Sequence, residues 1–151
     1  MALHERLAAD MKEAMKSGNK VRLSALRMAK AAIVNAEIAK GKDAVLTDAE
    51  IIEVLSREVK RRRESIAEFK KANRPDAVAR EEADLAVLLE YLPQQMSREE
   101  IASLARKVIQ EVGAQGPKDK GKVMGKLMPQ LKGKAEGQLI SEVVSQLLEA
   151  V

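Results

Sequence analysis

Thr47-Asp48-Ala49-Glu50 opens a run in which Ile52, Leu55, Val59, Ile66 and Phe69 recur at intervals of three, four or seven residues. The first four residues form a capping box, in which Thr and Glu can each satisfy a backbone N–H at the start of a helix. The recurrence that follows is one face of a helix and lacks the strict alternation of a strand. The run predicts a long helix reaching about Ala72, with those apolar residues as its buried stripe. No stretch of the chain offers a convincing strand.

The same periodicity extends upstream. Leu3, Leu7, Met11 and Met15 mark a first helix that Ser17-Gly18-Asn19 ends. Leu23, Leu26, Ala29, Ile33 and Ala36 mark a second from about Lys20 to Lys40, with Gly41 as its stop. Downstream, Asn73-Arg74-Pro75-Asp76 breaks the chain. Proline suits the first turn of the fourth helix, where its missing N–H is not needed. That helix carries Val78, Leu85, Leu88, Leu89 and Leu92 and is expected to stop at Tyr91-Leu92-Pro93, because the residue before proline is pushed out of the helical region. Ser97-Arg98-Glu99-Glu100 is a second capping box and opens a fifth helix. A short sixth helix covers about Lys118 to Met128, and a seventh carries Leu139, Ile140, Val143, Val144, Leu147 and Leu148. The fold class is all-α. The expected organisation is an N-terminal bundle of four helices over residues 1–93, followed by a small three-helix domain over residues 94–151.

Composition agrees with helices. Hydrophobic residues make up 46% of the 151, yet aromatics only 1%, so the core must be built from Leu, Ile, Val, Met and Ala. Charged residues make up 33%, and no apolar run approaches the roughly 18 residues a membrane span needs. There is no cysteine, which excludes disulfides and thiolate metal sites and permits a reducing compartment. The N-terminus lacks the apolar region of a secretion signal, so the cytoplasm is the expected location.

Catalytic chemistry is not visible. His4 is the one histidine, and a lone His in a first turn reads as a solvated residue. One His and no Cys leave no usual zinc site, and no metal or cofactor is implied. No nucleophile elbow, P-loop or dinucleotide-binding glycine pattern occurs. Glu81-Glu82 and Glu99-Glu100 are neighbours on helices, where adjacent side chains diverge by about 100° and do not converge on one substrate atom.

Two basic stretches remain. Between Gly113 and Ala135 lie six lysines and one aspartate, a net of +5: Lys118, Lys120, Lys122, Lys126, Lys132 and Lys134 against Asp119. Gly121 and Gly125 share one helical face. Each costs a helix about 1 kcal/mol relative to alanine, which suggests close approach by another helix or by a ligand backbone. The lysines can meet phosphates without reading bases, since the stretch has neither arginine forks nor aromatic stacking partners. The plain alternative is a solvated lysine-rich surface with glycines at ordinary turns. The second stretch, on the third helix, includes Arg57, Arg61, Arg62 and Arg63. It reads either as a charged outer face with intrahelical ion pairs or as a second phosphate-contacting face.

Gly121-Lys122-Val123-Met124-Gly125, Leu127-Met128-Pro129 and Lys132-Gly133-Lys134-Ala135-Glu136-Gly137 together resemble the signature of the GatB/YqeY tail domain. Leu92-Pro93-Gln94-Gln95-Met96-Ser97 resembles the approach to that domain. Arg22-Leu23-Ser24-Ala25-Leu26-Arg27 and its surroundings look like the N-terminal half of YqeY-type stand-alone proteins. The resemblance covers essentially the whole chain. It implies kinship with the tail of the GatB subunit of glutamine-dependent tRNA amidotransferase, which holds tRNA while other domains do the chemistry. By that likeness the six lysines are the RNA contacts, and Gly121, Gly125, Gly133 and Gly137 shape the backbone. Lys134 and Glu136 stand where the family often has arginine and aspartate. The family also carries a label of carbon–nitrogen ligase activity with glutamine as amido-N-donor, but this chain shows none of the required machinery. The expectation is an accessory protein that binds tRNA or other structured RNA. The alternatives are an adaptor for an amidotransferase, an aminoacyl-tRNA synthetase or another translation component, and a component of an amidotransferase.

Overall fold

A computed structural model describes residues 2–151. All regular structure among them is helical: α1 (Ala2–Ser17), α2 (Lys20–Lys40), α3 (Asp48–Lys71), α4 (Pro75–Leu89), α5 (Arg98–Val112), α6 (Lys120–Leu131) and α7 (Gly137–Glu149). One 3-10 turn, Pro117–Asp119, precedes α6.

Both capping boxes form. Thr47 accepts from the Glu50 N–H at 3.2 Å, and Glu50 accepts from the Thr47 N–H at 3.0 Å. Ser97 and Glu100 repeat the exchange at 3.1 Å each way. The C-terminus of α5 turns on Gly113, whose left-handed φ of +66° brings the Ala114 N–H back to the Ile109 carbonyl at 3.0 Å.

Three local expectations need adjusting. The buried stripe of α3 is Ile51, Val54, Leu55, Val59 and Ile66, with Ile52 and Phe69 only partly covered. Helix α4 ends at Leu89. Beyond it the Glu90, Tyr91 and Leu92 N–H groups reach back only three residues, so the chain tightens before Pro93 disrupts it. Helix α6 begins at Lys120 and continues through Pro129 to Leu131. Pro129 has no N–H to return to the Gly125 carbonyl, yet burial of Leu127 and Leu131 carries the helix past it.

The chain divides into two compact units, Met1–Leu92 and Pro93–Val151. In the first, α3 packs chiefly on α4, while α2 meets α1, α3 and α4. Its core is aliphatic, centred on Leu7, Leu26, Ile33, Ile51 and Leu55, with Tyr91 as the buried aromatic. Tyr91 anchors the end of this unit. Its hydroxyl donates to Asp10, and the Arg6 guanidinium lies 4.5 Å from its ring centroid. Arg22 ties Glu90 to the same cluster at 2.8 Å. Burial, then the bond to Asp10, pushes the Tyr91 hydroxyl far above its ordinary pKa. In the second unit α5, α6 and α7 enclose a separate core that includes Ile101, Val108, Val123, Leu127, Leu131, Ile140, Val144 and Leu148.

No described helix is long and apolar enough to cross a membrane.

Candidate nucleic-acid interface

Helix α6 has one apolar edge and one open face. Val123, Leu127 and Leu131, four residues apart, are buried against α5 and α7. The opposite side carries Gly121, Lys122, Gly125 and Pro129, all exposed. Of the two expected approaches to the glycines, that by another helix does not occur among the described residues of this unit. A Cβ built at either Gly121 or Gly125 meets nothing within 4 Å. No packing demand inside this unit therefore explains two glycines in α6, and the backbone between them is bare to an approaching molecule.

The six lysines are not equivalent. Lys118 and Lys122 are exposed beside the bare stretch, as is Lys134 in the next loop, and none makes an ion pair. Lys126 is exposed but engaged, its ammonium 2.7 Å from Glu111 on α5. That bond holds the Glu111 carboxyl below its ordinary range. Lys120 turns the other way and donates to the Ser141 hydroxyl of α7 at 2.7 Å. It ties α6 to α7 and lies outside the open face. Lys132 is exposed in the loop after α6. Asp119, the one acid of the stretch, is used locally: it accepts from the Gln115 N–H at 2.9 Å.

Residues 132–134 are held from an unexpected direction. Gln95 donates its side-chain amide to the Gly133 carbonyl, and the Met96 N–H donates to the Lys134 carbonyl at 2.8 Å. Gly133 adopts a φ of +77°, a left-handed conformation that glycine enters without steric cost. The segment leading into α5 is thus a brace for the lysine loop. Gly137 starts α7, where the Met128 methyl would touch an added Cβ at an ordinary 3.6 Å. Met124 packs against the core, while Met128 is exposed.

Sequence reasoning does not find Gln95 or Glu111. Gln95 lies in the Pro93-Gln94-Gln95-Met96-Ser97 segment, so a signal is present, but nothing in it names the carbonyl 38 residues away. Glu111 sits on a helix among other charges and carries no mark of its pairing with Lys126.

The arginines of α3 do not form one face. Arg57 is exposed, and Arg61 is exposed while pairing with Glu58 at 2.9 Å, as in an outer helical surface. Arg62 points inward with 13% of its side chain exposed, 3.3 Å from Glu81 of α4 and 3.5 Å from the Met28 sulfur of α2. It joins three helices and is unavailable to a phosphate. Arg63 is exposed and has an interaction of its own. His4 is also not the solvated residue expected. Its Nε2 is buried, 3.3 Å from Glu37. Among the described residues no three His, Cys, Asp or Glu side chains gather where they could hold a metal ion.

A family model described as "Yqey-like protein" matches residues 4–148. The chain is 34% identical over 82% of its length to "Altered inheritance of mitochondria protein 41, mitochondrial" of Pyrenophora tritici-repentis, covering 67% of that protein. It is 37% identical over 58% of its length to the protein of the same name in Lachancea thermotolerans, covering 46% of it. An uncharacterized protein of Schizosaccharomyces pombe is 33% identical over 56% of the chain, with 68% of that protein covered.

Proposed function

This chain belongs to the YqeY-like protein family, and from that premise we propose that it is an accessory protein binding structured RNA, with tRNA the foremost ligand. In this reading the first unit is a four-helix bundle and the second a three-helix RNA-holding domain, acting in translation and residing in the cytoplasm. The carrying observation is the open face of α6. Two adjacent helical turns expose glycine backbone with nothing packed on it, and unpaired Lys122 stands between the glycines. A phosphodiester chain can approach bare helix backbone more closely than a face covered by side chains. Ammonium groups beside it neutralise phosphates as point charges and favour no base. The ligand is therefore held by its backbone and shape, which suits a folded RNA better than a sequence motif.

The braced loop supports the same reading. Gln95 and Met96 fix the path of residues 132–134, which places Lys132 and Lys134 at a set point after α6. A flexible lysine tail would need no such bracing.

The test is tRNA binding to the full chain measured across a salt series, beside a variant with Lys118, Lys122 and Lys134 changed to Gln. Each phosphate that the variant no longer neutralises should lower the steepness of log affinity against log salt by about 0.7–0.9. A well-folded triple variant with unchanged affinity and salt dependence would remove this site.

A further inference from the structure

We infer that the outward side of α2 is a docking surface for an acidic amphipathic helix of another protein. This surface lies in the first unit and includes none of the lysines assigned to RNA. Val21, Met28, Val34 and Ile38 are 57%, 40%, 38% and 72% exposed. These four account for half of the large exposed hydrophobic side chains among the described residues. At about 100° per residue they fall within roughly 140° of the helix circumference. Apolar exposure gathered on one side of an element and accompanied by charge marks an interaction site.

The accompanying charge is mostly positive, with Asp43, next to Lys42, the exposed acid that lines the same hollow as Val34 and Ile38. Helix α2 contains a single acid, Glu37, and it is turned to the Leu46 N–H at 3.1 Å and to His4. Arg22 and Lys40 are spent on Glu90 and Glu50. Lys20, Arg27 and Lys30 are exposed and make no ion pair. Across a furrow of about 440 Å³, α4 adds Arg80 to the rim, with Val21, Ser24, Ala79 and Ala83 as the floor. Asp84 is the one acid there, and it interacts with the positive charge of Arg62.

These features select the occupant. A second copy presenting the same face would set Arg27 and Lys30 against like charges, which opposes association. A bilayer is flat, whereas the Val21 end of this surface drops into a furrow between two helices lined by small side chains. A nucleic-acid backbone gains nothing from Val21, Val34 or Ile38. A helix with apolar residues at i, i+3, i+4 and i+7 and acidic flanks satisfies both floor and rim. Val21 to Ile38 spans about 26 Å at 1.5 Å per residue, enough for about 17 residues of partner helix.

The experiment maps binding on the full chain by amide chemical shifts. The probes are a helical peptide of about 18 residues with Leu at those spacings and Glu elsewhere, the same peptide with Lys replacing Glu, and phosphatidylcholine–phosphatidylserine vesicles. The acidic peptide should move amides of α2 and α4 and bind at least about tenfold more tightly than the Lys peptide. The double variant Arg27→Glu/Lys30→Glu should lose at least about tenfold in peptide affinity while its melting temperature and tRNA binding stay put. Equal binding of the two peptides, shifts confined to other helices, no binding, or a preference for the vesicles would each overturn the assignment.

Discussion

Gln95 donates its side-chain amide to the Gly133 carbonyl at 2.9 Å and to the Pro93 carbonyl at 2.8 Å. One residue thereby joins the start of the second unit to the loop that carries Lys132 and Lys134.

Replacing Gln95 with Ala deletes both bonds. Each is worth about 0.5–1.5 kcal/mol net, so the second unit should lose about 1–2 kcal/mol by denaturant titration. Affinity for tRNA should fall, because the lysine loop loses its brace. The salt dependence should hold, because no cation has been removed. A drop in stability with unaltered affinity would mean that the loop's position does not matter to the ligand.

Gly125→Ala separates folding from binding. An added methyl meets nothing within 4 Å, and alanine favours a helix over glycine by about 1 kcal/mol. The melting temperature should therefore rise. If the bare backbone is where the ligand approaches, the same methyl lowers RNA affinity several-fold. A variant that is more stable and binds equally well would assign these glycines no role in recognition.

Glu111→Gln should strengthen RNA binding. It releases Lys126 from its 2.7 Å partner, making one more cation available on the face. The salt dependence should steepen by up to about one further neutralised phosphate, with little change in melting temperature, as expected of a surface pair. Unchanged affinity would place Lys126 outside the footprint.

Acid should loosen the start of α3. The Glu50 carboxyl is pulled down to about 2, first by its bond to Lys40 and then by the Thr47 N–H. Its folded value lies below its ordinary 4.5, so its contribution is whole above that pH and disappears as pH falls toward 2. Carbon-detected titration of Glu50 should show the depressed midpoint, and Lys40→Met should move it back up. An ordinary midpoint in the unaltered protein would refute the pairing.

Much of the fold is legible in the sequence because local rules and burial agree. Thr47 and Ser97 announce their helices, Gly113 ends one, and aliphatic spacing marks the faces that bury. Legibility fails where a distant partner decides. Arg62 looks like its neighbours Arg61 and Arg63 in the sequence, but Glu81 and Met28 turn it inward. Lys120 and Lys122 are two residues apart in one basic run, yet helical geometry sends the first toward Ser141 and the second outward. The sixth helix runs past its expected end at Met128, because proline usually stops a helix and the burial of Leu131 outweighs that rule here.

The two hydrophobic clusters share no residue. Heat or denaturant can then breach one while its counterpart survives, so the polypeptide carries two melting elements in series. The smaller, with less interior to lose, gives way first. Under thermal stress α5–α7 would separate before α1–α4 let go of one another.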